Sequence, residues 1–220
     1  ALKIGDTATV TLQFSEAVTG FSSDADVTVQ NGSLATMTSS DNITWTGTFT
    51  PSSDVEDATN VMSLATSYTD TAGNAGPSAT TDNYEVDTIR PTVAAFTMSD
   101  TALISGETST VTLQFSEAVA SFSSDDDITV QNGSLATMTS SDNITWTGTF
   151  TPTSDVEDAT NVLTLATTYT DTAGNAPAST STTDNYTVDT TAATVVAFTL
   201  SDSALKIGDT ATVTLQFSEA

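Results

Sequence analysis

The residues of this sequence able to do chemistry are carboxylates, and several fall in phase with apolar runs. Glu117 stands two positions beyond Phe115 in the alternating run Val111, Leu113, Phe115, and Asp171 stands two beyond Tyr169, in phase with Leu163 and Leu165. Alternate residues of a strand share a face, so both carboxylates point toward the axis of the domain that buries those apolar groups. Asp125, Asp126 and Asp127 precede Ile128 and Val130, and Asp87 leads into the segment that begins at Val93. Two carboxylates about 4 Å apart repel by roughly 4 kcal/mol at an effective dielectric near 20. Of the three basic residues, Lys3, Arg90 and Lys206, only Arg90 is near enough to help. A hard divalent cation removes the repulsion, and calcium, which takes about six to eight oxygen ligands, suits such loops. The candidate metal ligands are therefore Asp87, Glu117, Asp125, Asp126, Asp127 and Asp171, with Glu16 and Asp70 as earlier equivalents and Asp189 and Glu219 as later ones. The plainer reading is that these acids solubilise strand ends. Paired carboxylates also serve glycosidases, but no insertion forms a cleft and every copy would have to be an enzyme.

Composition narrows the choice. The chain carries 28 acidic residues and a net charge of -25, a surface that repels nucleic acid and anionic membranes. No run is long enough for direct membrane insertion. Cysteine and histidine are both absent, which removes disulfide frameworks, the usual zinc sites and the common nucleophilic triads. No catalytic residue is assigned, and the chain is read as non-enzymatic.

The elements that must position the acids repeat. Leu12-Gln13-Phe14-Ser15-Glu16-Ala17-Val18 recurs 101 residues on, at Leu113 to Val119, and begins again at Leu215. Asp70-Thr71-Ala72-Gly73-Asn74 recurs at the same spacing as Asp171-Thr172-Ala173-Gly174-Asn175, and one extra residue in a Ser/Thr-rich loop carries Asp82-Asn83-Tyr84 to Asp184-Asn185-Tyr186. A period this long suits an independent small domain rather than a solenoid turn. The expected units are 1–87, lacking a first strand, 88–189, complete, and 190–220, the first two strands of a third.

Within 88–189, short segments alternate apolar and polar residues between Gly, Asn, Asp and Ser, and no helical period persists. Ile144, Trp146 and Phe150 face inward against Thr145, Thr147, Thr149 and Thr151, Gly148 fills the remaining inward position, and Trp146 is the expected core anchor. Asn132-Gly133 is expected to close a tight hairpin between the strand holding Ile128 and Val130 and a return strand from Leu135. The fold class is all-β: tandem immunoglobulin-like β-sandwiches of about seven strands each, Greek key in connection, arranged as an elongated array.

Phe115-Ser-Glu-Ala-Val, Asp171-Thr-Ala-Gly-Asn and the joint Val86-Asp87-Thr88-Ile89-Arg90-Pro91-Thr92 resemble the bacterial immunoglobulin-like repeats of large RTX or Bap-type surface adhesins, over the entire chain. The resemblance implies extender repeats of a secreted or cell-surface protein, often exported by type I secretion, with calcium at the domain junctions and neighbouring repeats of the same chain as partners. Calcium, scarce in cytosol and plentiful outside, would then leave the chain unfolded until export.

Strands running alternately up and down bring the loop after Phe115, the Asp142-Asn143 hairpin, the loop after Tyr169 and the incoming linker to one pole. Asp54, Glu56 and Asp57, with their copies Asp155, Glu157 and Asp158, belong to the other pole and are read as solvated. The outward threonine row Thr44, Thr46, Thr48, Thr50 suits an exposed strand face better than a flat ligand lattice, because sandwich sheets twist. A rival function, in which the repeats themselves bind carbohydrate, ice or a receptor, needs an exposed aromatic platform, and Trp45 and Trp146 are in phase with the core instead. An accessory domain of a secreted hydrolase is the third reading. Strand Thr194 to Leu200 matches the strand that 1–87 lacks, so exchange of edge strands between molecules is one expectation, and ends without such a role are the other.

Overall fold

The computed structural model describes residues 1–219. In the second unit Ser109–Phe115 lies at the middle of an antiparallel sheet ordered Val93–Met98, Ser109–Phe115, Thr145–Pro152, Gly133–Leu135. Val111, Leu113 and Phe115 are at most 1% exposed while Thr110 and Gln114 face water, so the alternation in sequence becomes one buried face. Each such side chain contributes about 1.5–3 kcal/mol by leaving water.

The opposing layer consists of three short ladders. Ala102–Ile104 runs parallel to Tyr186–Asp189, which pairs antiparallel with Glu157–Asn161. Ile128–Thr129, Thr164–Leu165 and Ser181–Thr182 form the second ladder, and Val119–Ala120 with Thr170–Asp171 the third. Leu103, Leu163, Leu165, Tyr169, Tyr186 and Val188 from this side close onto Phe115 and Phe150 in one core. Together these short pieces and the main sheet make the all-β sandwich that the alternation implies.

Two expectations are corrected here. Asn132-Gly133 does not close a hairpin: Ile128–Thr129 and Gly133–Leu135 belong to different sheets, so the dipeptide carries the chain across the sandwich. Asn132 takes the left-handed turn at φ 47, and Gly133 is required because a methyl group there would lie 2.2 Å from Phe150 Cζ. Nor does Trp146 anchor the core. It is half-buried, edge-on to Phe122 at 4.9 Å, and its indole N–H is buried without a partner among the described residues; Tyr169, Tyr186, Phe115 and Phe150 fill the centre.

The first unit repeats the pattern with three strands in its main sheet, Ala8–Gln13, Thr44–Pro51 and Gly32–Leu34, and among the described residues no strand lies outside Ala8–Gln13. Its apolar residues divide into two smaller clusters, around Tyr68 and around Phe49. The last segment is a hairpin of Val195–Leu200 with Val213–Phe217, whose Phe198 is 73% exposed. Among the described residues no helix is long and apolar enough to cross a membrane.

Candidate metal centre

The joint between the two units is built by short-range constraints. Asp87 ends the strand Tyr84–Asp87 of the first unit, and only Thr88 to Thr92 separates it from the first strand of the second. Thr92 is held to the end of Ser109–Phe115, donating its N–H to Ser116 Oγ at 3.0 Å while its carbonyl accepts from Ser116 N at 2.9 Å. Asp171 pairs across from Val119, and Val119 N donates to Asn143 O. Strand end, hairpin and incoming linker therefore meet at one pole, with Glu117 in the bend between Phe115 and Val119.

Carboxylate oxygens of Asp87, Glu117 and Asp171 all lie within 4.8 Å of one another. Asp171 is 1% exposed; its Oδ1 accepts from the N–H groups of Gly174 and Asn175 at 2.7 and 2.8 Å, and its Oδ2 from Asn175 Nδ2 at 2.8 Å. Those donors fix the orientation of its carboxylate beside the other two acids. Burial pushes the Glu117 carboxyl up to about 7, and the charges of Asp171, Asp87 and Glu56 push the same way. Asp87 is also raised, first by burial, while the Ile89 N–H opposes and Asp171 and Glu56 add to the rise. Among the described residues neither Lys nor Arg pairs with the cluster: Lys3 Nζ sits 3.1 Å from Asp6, and Arg90 Nη1 donates to Ala176 O at 2.6 Å. Three converging carboxylates with no cation give an all-oxygen donor set, the kind that hard cations take.

Sequence reasoning missed two members of this joint. The sequence places Glu56 at the solvated pole, yet it faces Asp87 across the antiparallel pair and its charge is felt at Glu117. The signal was the linker, too short to keep the exit pole of one unit away from the leading pole of the next. Asn175, 2% exposed, accepts from Ile4 N at 2.8 Å and donates to Asp87 O at 3.0 Å, crossing the joint in both directions. Its presence in both copies of the Asp-Thr-Ala-Gly-Asn loop was the available hint.

Asp125, Asp126 and Asp127, expected as junction ligands, lie outside the cluster of Asp87, Glu117 and Asp171. They form a single helical turn, Ser124–Asp127. Asp125 accepts from Thr137 Oγ1, and buried Asp127 accepts from Ser123 N at 2.9 Å and from the Thr168 hydroxyl, so its oxygens fasten loops together. Asp126 is exposed.

In the first unit Glu16 and Asp70 line one groove with Tyr68 and Asn74. Asp70 is held below the usual carboxylate range by hydrogen bonds, the Asn74 side chain foremost. At the second joint Asp189 faces Glu157 as Asp87 faces Glu56, and one oxygen of Glu219 is buried without a hydrogen-bond partner among the described residues.

Two β-sandwiches in tandem, joined tightly through backbone and side-chain contacts, define an immunoglobulin-like array. The chain belongs to the bacterial Ig-like domain family, which matches residues 1–86 and again 87–188. No curated protein matches the chain. Among solved structures it is similar to the Bacteroides ovatus mixed-linkage glucan utilization locus SGBP-B in complex with mixed-linkage heptasaccharide, at 15% identity and a TM-score of 0.22, over 94% of this chain and 49% of that one. The chain spans about half the length of that protein, and a likeness of this degree carries no argument about a ligand.

Proposed function

We propose that the chain is a run of structural extender repeats from a secreted or cell-surface bacterial adhesin, stiffened by calcium at the domain junctions. The observation that supports this most is the cluster of Asp87, Glu117 and Asp171, contributed by both units and left without a cationic partner among the described residues. Glu117 and Asp87 would supply the ligands whose charge is worst tolerated without a cation, Asp171 would add a carboxylate already fixed by Asn175, and Glu56 would stand beside them. A cation bound there neutralises the repulsion and ties the last strand of one sandwich to two loops of the next. A joint so tied resists bending, which is what a spacer holding an adhesive domain away from a cell requires.

The test is a thermal melt of the full chain in EDTA and in millimolar calcium, repeated with Asp87→Ala and Glu117→Ala. A calcium-dependent rise in Tm that both substitutions abolish is the expected result, since a ligand bound only by the folded state stabilises it. Equal melts in EDTA and calcium would leave a spacer whose acids serve solubility alone.

A further inference from the structure

We infer that Asn175 is a cation-independent docking residue through which one repeat reads the backbone of the repeat before it. The proposal rests on the extender reading for its purpose, but the two bonds it draws across the joint reach the backbone atoms Ile4 N and Asp87 O, not a carboxylate oxygen.

The side-chain amide of Asn175 is filled on both sides. Its oxygen accepts from Ile4 N, and its nitrogen donates to Asp87 O and to Asp171 Oδ2. Ile4 and Asp87 belong to neighbouring segments of the first unit, where Leu2 and Val86 form a parallel bridge with Leu2 N donating to Glu85 O and Asp87 N to Leu2 O. The sequence N–H of Ile4, amide of Asn175, carbonyl of Asp87 thus continues that ladder, with a side-chain amide standing where a direct backbone rung would be. The second unit shows the ladder without such a guest: Ala102–Ile104 and Tyr186–Asp189 pair directly as far as Ile104 and Asp189. In the first unit the copies of those two residues, Lys3 and Asp87, are not partners, and the amide of Asn175 lies between the strands instead.

Because both atoms contacted across the joint are backbone atoms, docking does not depend on the side chain at the turn, which is Ile4 in the first unit and Ser105 in the second. The turn itself is the same in each unit, with Asp6 N donating to Lys3 O and Glu107 N to Ile104 O, and with Gly5 and Gly106 at φ 83 and 86. The docking loop is also preformed. Asn74 donates to Asp70 Oδ2 at 2.6 Å, as Asn175 does to Asp171, although Asn74 is exposed and among the described residues bridges nothing. Gly174, at φ 96, brings the loop against Lys3, whose Cδ would lie 3.2 Å from an added methyl group. The partner this surface fits is therefore the Gly turn and final strand of another repeat of this chain. At the face of the second unit an incoming asparagine would open the Ile104–Asp189 rung.

Amide hydrogen exchange on the full chain in EDTA tests this. The Ile4 N–H is expected to exchange at least about tenfold more slowly than that of Ile207, its copy in the last segment, which is fully exposed and carries the same turn. Asn175→Ala should remove that protection, whereas Asn74→Ala, which breaks the same bond inside its own loop, should leave it. Equal rates at Ile4 and Ile207, or protection that survives Asn175→Ala, would overturn the proposal. If Asn175→Ala does not fold, the comparison of Ile4 with Ile207 in the unsubstituted chain decides. Protection seen only with calcium would also overturn it while leaving the calcium reading intact; protection in EDTA with no calcium effect on the melt would do the reverse.

Discussion

A carboxylate oxygen of Asp87, the last residue of the first unit's closing strand, lies within 4.8 Å of one from Glu117 of the second unit. That approach links folding to pH. The Glu117 carboxyl, raised from 4.5 to about 7 first by burial, binds a proton in the folded state that the unfolded state has released. Its contribution to stability is fully present below 4.5 and is lost as pH rises through 7. In EDTA the Tm is therefore expected to fall between about pH 5 and 8, and Glu117→Gln should flatten that fall. Asp41, Asp142, Asp57 and Asp70 are lowered by hydrogen bonds; they stabilise above 3.8 and lose this as pH falls below it, outside that window. A pH-independent melt over pH 5–8 would contradict the burial of Glu117.

Glu56 is expected to act on Glu117 from the preceding unit. Substituting Glu56→Gln removes one of the charges that raise the Glu117 carboxyl, so its titration, followed by carboxyl-carbon NMR, should move down toward 4.5. The shift should be smaller than that of Asp171→Asn, because Asp171 is the foremost charge acting on Glu117. An unmoved titration would place Glu56 outside the joint's field.

Gly133→Ala tests the crossover between sheets. The added methyl would meet Phe150 Cζ at 2.2 Å and Thr151 O at 2.7 Å, and a fully buried ring cannot retreat without disturbing the core. A loss of about 1–3 kcal/mol in urea unfolding is expected, the usual cost of overpacking. A loss below ~0.5 kcal/mol would mean that the ring relaxes.

Tyr186→Phe tests what holds the same crossover on its other side. The Tyr186 hydroxyl, fully buried, donates to the carbonyl of Gln131, the residue before Asn132. Removing it leaves that carbonyl unpaired, and a destabilisation of about 1–3 kcal/mol is expected. Tyr84 makes the same bond to Gln30 in the first unit, so Tyr84→Phe should act in parallel.

The sequence by itself determined which side chains face inward, because alternation has a period of two and a strand has no other way to bury Val111, Leu113 and Phe115 together. It also brought Asp87, Glu117 and Asp171 to one pole, since phase along a strand and strand direction suffice to locate a residue near a strand end. Tertiary structure decided everything that depends on which strands pair and what lies across a joint. Asn132-Gly133 has the composition of a hairpin, but Gly133–Leu135 pairs with Thr145–Pro152 and not with Ile128–Thr129, a choice made by contacts distant in sequence. Asp127 fastens its loop to Thr168, forty-one residues on, a contact no local spacing announces. Glu56 and Asn175 entered the joint only when two units were placed end to end, because their partners Asp87, Glu117 and Ile4 sit 31, 61 and 171 residues away in the chain, beyond any spacing rule.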